Sequence, residues 1–184
     1  MISTPYYTDP RLHDRVCQRI RQRFDNNLTW LECSFPIAYL GVIESKDEEL
    51  SYPRIYANDG STTHYDVRPD DSVKAFCFFE LDDTLALDES DGTEYTFSVI
   101  FYARLDKAIP GDSNQDYTAK LIAQVVGHLK HISIDARVLG WDTNPENIFD
   151  KYTGLDELIT QSQMKLGTAF KITFTVWDGE DCYT

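Results

Sequence analysis

The sequence predicts an α+β fold: a mainly antiparallel sheet with an N-terminal helix and a second helix packed on one face, plus a projecting hairpin. Three stretches alternate apolar and polar residues with period two, at 73–81, 95–105 and 170–177, which marks strands with one face on a core. Two other stretches repeat apolar residues at helical spacing, Leu12–Val16–Ile20–Phe24 and Leu121–Val125–Leu129. Helix, strands, helix and last strand, in that order, suit one layer of helices on one sheet. The 184 residues form a single domain, because two halves would each be marginal.

Asp9-Pro10 supplies a capping carboxylate and a proline at the first helical position. The helix then runs to about Phe24, and Asn26-Asn27 ends it. Leu28 to Ile43 reads as extended and is broken at Pro36, with the continuous apolar run 37–43 expected as a central strand. Residues 44–72 are polar and form a hairpin excursion, with Asn58-Asp59-Gly60 as its turn. The second helix spans about Tyr117 to Ile132. Asn144-Pro145-Glu146 caps and starts a short helix, and residues 153–168 hold one helical turn or two.

The formal net charge is −14, yet residues 1–25 carry five Arg against three Asp, leaving −16 for the rest. Arg11, Arg15, Arg19 and Arg23 recur every fourth residue, about 100° round the helix from the apolar row. The apolar row can bury at home while the Arg row faces outward, as an inter-subunit contact with another copy of the same acidic chain. Net charge opposes general binding to nucleic acid or anionic membrane. No apolar run approaches the roughly 20 residues that cross a bilayer, and the N-terminus lacks the pattern of a signal peptide. Cys17, Cys33, Cys77 and Cys182 show no CxxC spacing and read as reduced core thiols.

From Glu80 to Glu94 inclusive there are seven acids, and no Lys or Arg occurs from 75 to 103. This stretch is expected as an acidic loop over 80–94, with Asp82, Asp83, Asp88, Glu89 and Asp91 facing a channel or an interface. A solvated charge run and a calcium loop are the other readings, although Gly92 is misplaced for an EF-hand. No phosphate-loop, nucleophile-elbow, zincin or dinucleotide fingerprint is present. His128 and His131 lack a third ligand at metal spacing. The expectation is therefore a protein that is no enzyme and has no cofactor, metal or catalytic residues.

The element order resembles the tail terminator, tail-completion and head–tail connector ring proteins of tailed bacteriophages. The matching parts are the helix 10–24, the strand 36–43, the long strand 95–105, the helix 117–132 and the last strand 170–177. The resemblance implies a structural virion protein, made in the host cytoplasm, that forms a homo-oligomeric ring at the head–tail junction or tail. Its partners would be portal, connector or tail proteins, and DNA would pass an acidic channel during ejection without specific binding. The alternative is a small-molecule enzyme or ligand-binding domain with Phe76, Phe78, Tyr102 and Trp177 lining a pocket. Against it stands the simpler packing of that face under the hairpin or another subunit. A third option, a nucleic-acid module using the Arg row on phosphates, runs against the net charge.

Overall fold

A computed structural model describes residues 13–44, 49–56, 63–68, 73–86, 93–108, 117–131, 136–164 and 166–178. Helix α1 (His13–Asn27) leads into β1 (Cys33–Ile37), β2 (Tyr39–Glu44), β3 (Glu49–Tyr56) and β4 (His64–Asp66). The long strands β5 (Ala75–Ala86) and β6 (Thr93–Arg104) follow, then a single turn α2 (Leu105–Ala108) and helix α3 (Tyr117–Lys130). Strand β7 (Ala136–Asp142), helix α4 (Pro145–Ile148), a 3-10 turn (Thr153–Leu155), helix α5 (Asp156–Gln163) and β8 (Gly167–Asp178) complete the chain.

The large sheet has the order β1-β5-β6-β8-β7 and is antiparallel except for the β1–β5 pair. As the alternation requires, Cys77, Phe79, Phe97, Val99, Phe101, Phe170, Ile172 and Phe174 share one face. Helices α1 and α3 lie on that face through Val16, Cys17, Ile20 and Phe24 and through Leu121, Val125 and Leu129. Trp30 Nε1 donates to Gln124 Oε1 at 2.9 Å and ties the end of α1 to α3. The α+β class, with both long helices on one face, is thus as the sequence predicts.

The run 37–43 is not one central strand. Ala38 separates two strands, its amide donating to Phe79 O at 2.7 Å, and the chain leaves the large sheet there. β2 belongs to a small sheet of order β2-β3-β4. Tyr39, Leu40 and Val42 are exposed because that strand forms an edge. Pro36 sits in β1 because its missing N–H falls at a bulge where two residues of β1, Phe35 and Pro36, oppose one of β5, between Ser34↔Cys77 and Ile37↔Phe79. The hairpin excursion is the rest of this small sheet, with Arg54↔Asp66, Ile55↔Tyr65 and Tyr56↔His64 paired. Its Asn58-Asp59-Gly60 turn lies outside the described residues. β7, an edge strand that the sequence reading did not anticipate, pairs with β8.

The second face of the sheet is covered as well. Phe76, Phe78, Ile100 and Tyr102 pack against Ile148, Phe149, Tyr152, Leu155 and Leu158, joined by Ile55 and Val67 of the small sheet. A side chain at Gly154 would meet the Tyr52 ring at 2.2 Å, so β3 docks on this segment only because residue 154 has none.

Candidate interaction surface

The Arg row is split by the way α1 seats itself. Arg19 is exposed, Arg15 and Arg23 are half-buried, and Arg11 lies outside the described residues. Arg23 turns toward α3, where burial, then Arg23 and then His131, hold the His128 imidazole below the ordinary histidine value. Arg21 is fully buried and donates from Nη2 to Ser34 O at 2.7 Å. It sits four residues after Cys17 and three before Phe24, on the buried stripe. Arg21 therefore anchors α1 to β1 inside the protein.

The acidic stretch is mostly strand. β5 and β6 pair as far as Ala86↔Thr93, so a connection is left only at 87–92, and the expected loop over 80–94 is corrected accordingly. Asp88, Glu89 and Asp91 lie outside the described residues. Glu80 is buried beneath the segment after α4, where it accepts from the Tyr152 hydroxyl and pairs with Lys151 Nζ at 2.7 Å. Burial and the adjacent Glu80 carboxylate push the Tyr152 phenol far above its ordinary value. Asp82 is exposed and accepts from Ser98 Oγ at 2.5 Å; Ser98 Oγ also meets Thr173 Oγ1 at 2.9 Å. Asp83 is paired through its backbone with Thr96.

Phe76, Phe78 and Tyr102 are buried in the second core, and the Tyr102 hydroxyl donates to Gln161 Oε1. Phe76 packs edge-on against Phe35, and Phe78 against Tyr152. Trp177, near the end of β8, is exposed. Among the described residues no group of three His, Cys, Asp or Glu could hold a metal, and no helix is long and apolar enough to cross a membrane. Cys17, Cys33 and Cys77 are free and buried; Cys182 lies outside the described residues. No family model and no curated protein matches this chain.

Exposed apolar side chains remain, most of them on strands and two, Met164 and Leu166, between α5 and β8. Tyr39, Leu40 and Val42 stand on β2, Tyr56 and Tyr65 on β3 and β4, and Leu139 and Trp141 on β7. β2 continues from β1 at one edge of the large sheet, and β7 is the other edge, four strands or about 19 Å away. The alternation that would have marked β7 is interrupted by a bulge between Val138 and Gly140. These two edges hold five of the ten exposed large apolar side chains among the described residues.

Proposed function

We propose that this chain is a structural protein that self-associates into a ring at the head–tail junction or tail of a tailed bacteriophage. The observation that carries the reading is the pair of apolar strand edges on opposite sides of one domain. A monomer has little reason to leave Leu40, Val42, Leu139 and Trp141 in water on templates for strand pairing. Two different patches on one subunit favour head-to-tail association, which closes into a ring when the rotation allows it. The element order supports the phage assignment, and the charge of −14 suits a channel along which DNA slides without binding. Arg15 and Arg19 of the Arg row would help set partner and register rather than supply the main association, since an exposed pair contributes only about 0–1 kcal/mol.

The filling of the second face by the protein's own side chains weighs against the pocket-bearing alternative. Native mass spectrometry and negative-stain imaging of the purified chain, alone and with portal or tail-tube protein, test the proposal. Ring-shaped oligomers are expected. A chain that stays monomeric at all concentrations and binds neither partner would overturn it.

A further inference from the structure

The shoulder where α1 meets α3 gathers cationic groups in a chain whose net charge is −14. Arg23 comes from α1. Gln124, His128 and His131 come from α3 and the turn that ends it, spaced by four and then three residues and so on one side of that helix. Trp30 Nε1 donates to Gln124 Oε1 at 2.9 Å and holds this side of α3 against the end of α1. Among the described residues the cluster has no countercharge. Burial, then Arg23 and then His131, lower the His128 imidazole, and no carboxylate opposes them. Asp25, the acid nearest to Arg23 in sequence, stands about 200° round α1 from it. It acts on Cys77, where burial and then the Asp25 charge raise the thiol.

The groups left over are of one kind. Arg23 Nε is buried and meets no acceptor among the described residues, and a guanidinium has donors only. Gln124 has given its Oε1 to Trp30, so its Nε2 donors are what it still offers. A protonated imidazole donates from both nitrogens. The helix dipole favours cations near a C-terminus, which accounts for the sign of each group. It does not account for two helices turning their cations toward each other around a buried donor. A ligand that is negative and made only of acceptors answers all of these groups at once.

We propose that Arg23, Gln124, His128 and His131 form a binding site for a small tetrahedral oxyanion of the phosphate type. Donors converging from two helices suit oxygens spread around one centre better than the two coplanar oxygens of a carboxylate. Repulsion from a net charge of −14 grows with the charge of the ligand, which favours a small anion over a polynucleotide. Binding is linked to protonation: an anion beside the two histidines favours their charged forms, so their protonation tightens the anion in return. The site goes beyond the ring reading above and does not depend on it.

The test is calorimetric titration of the full chain with inorganic phosphate, sulfate, acetate and a short thymidine oligonucleotide at constant ionic strength. Phosphate and sulfate are expected to bind, and acetate at least about tenfold more weakly. Sulfate keeps its charge across the range, and its affinity should rise about three- to tenfold from about pH 7.5 to about pH 6. Arg23→Gln should weaken phosphate binding about tenfold or more. His131→Gln, at an exposed position that leaves the fold intact, should weaken it several-fold and flatten the pH dependence of sulfate. In the wild type, phosphate should move the His128 and His131 ring resonances and raise their titration midpoints. Absence of phosphate and sulfate binding, or binding that neither substitution weakens, would overturn the proposal. Acetate bound as tightly as phosphate would reassign the site to a carboxylate, and an oligonucleotide bound more tightly than phosphate would reassign it to nucleic acid. Either result overturns it too, and none of them touches the oligomeric state on which the ring reading stands.

Discussion

Lys151 reaches across the second face of the large sheet to Glu80, placing its Nζ 2.7 Å from the carboxylate that also accepts the Tyr152 hydroxyl. The carboxylate and the phenol are buried, while the lysine is half-exposed. Glu80→Ala would leave the Tyr152 hydroxyl buried without its acceptor, destabilising the fold by about 2–4 kcal/mol. Lys151→Met removes a group that water already screens and should cost under about 1 kcal/mol. Urea unfolding of both variants gives the ordering, and equal losses would contradict it.

Arg21 holds α1 to β1 from inside. Arg21→Ala opens a cavity and strips Ser34 O of its donor, an expected loss of about 3–5 kcal/mol. That is a large part of the roughly 5–15 kcal/mol stability of an ordinary domain. Arg21→Met keeps the volume and removes the desolvated charge, so it should recover most of the loss. Chemical denaturation distinguishes the two variants, and a Met variant as weak as the Ala one would show that the guanidinium itself is needed.

His128 makes stability depend on pH. Burial, Arg23 and His131 lower its folded value below the ordinary 6.5, so the unfolded chain takes up the proton more readily. The contribution is present above the ordinary value and is lost as pH falls through it toward the lowered folded value. Thermal unfolding from about pH 7.5 to about pH 5 should therefore decline less steeply in His128→Gln than in the wild type. Identical slopes would show that His128 has no part in it.

Arg15→Glu with Arg19→Glu should weaken assembly and leave the fold intact, because neither residue is part of the buried stripe. Sedimentation should show smaller species with an unchanged circular dichroism spectrum, more clearly at low salt. Arg23→Glu differs, because it also places a carboxylate beside His128, removes a cause of its lowered value and raises it.

Much of this architecture was legible from alternation alone. β5, β6 and β8 show period two over long runs, and their registers follow it from Ala75↔Ala103 and Phe101↔Phe170 onward. The stripe on α3 and the Asn144 cap, whose side chain accepts from Glu146 N at 3.2 Å, were equally plain. The break at Ala38 was hidden because a continuous apolar run does not reveal which neighbour each amide will choose. Arg21 stood apart from the Arg row, but a charged residue carries no sign of burial until its place on the stripe between Cys17 and Phe24 is known. Glu80 was read as loop because seven acids look solvated until the partners, Lys151 and Tyr152, arrive from about seventy residues away. The β2 and β7 edges could not be recognised as edges, since that depends on which strands end the sheets.

The single residue Ala38 between β1 and β2 also sets how the molecule carries load. A pull along β2 passes straight into β1, whose bonds to β5 include Cys33↔Phe76 and Ile37↔Phe79 in parallel register. A force along the strands stretches those bonds together instead of unzipping them one at a time, and the Ala38 amide on Phe79 O sits at the head of the row. A subunit held by its β2 edge would thus load the β1–β5 pair in shear, the geometry that resists rupture best.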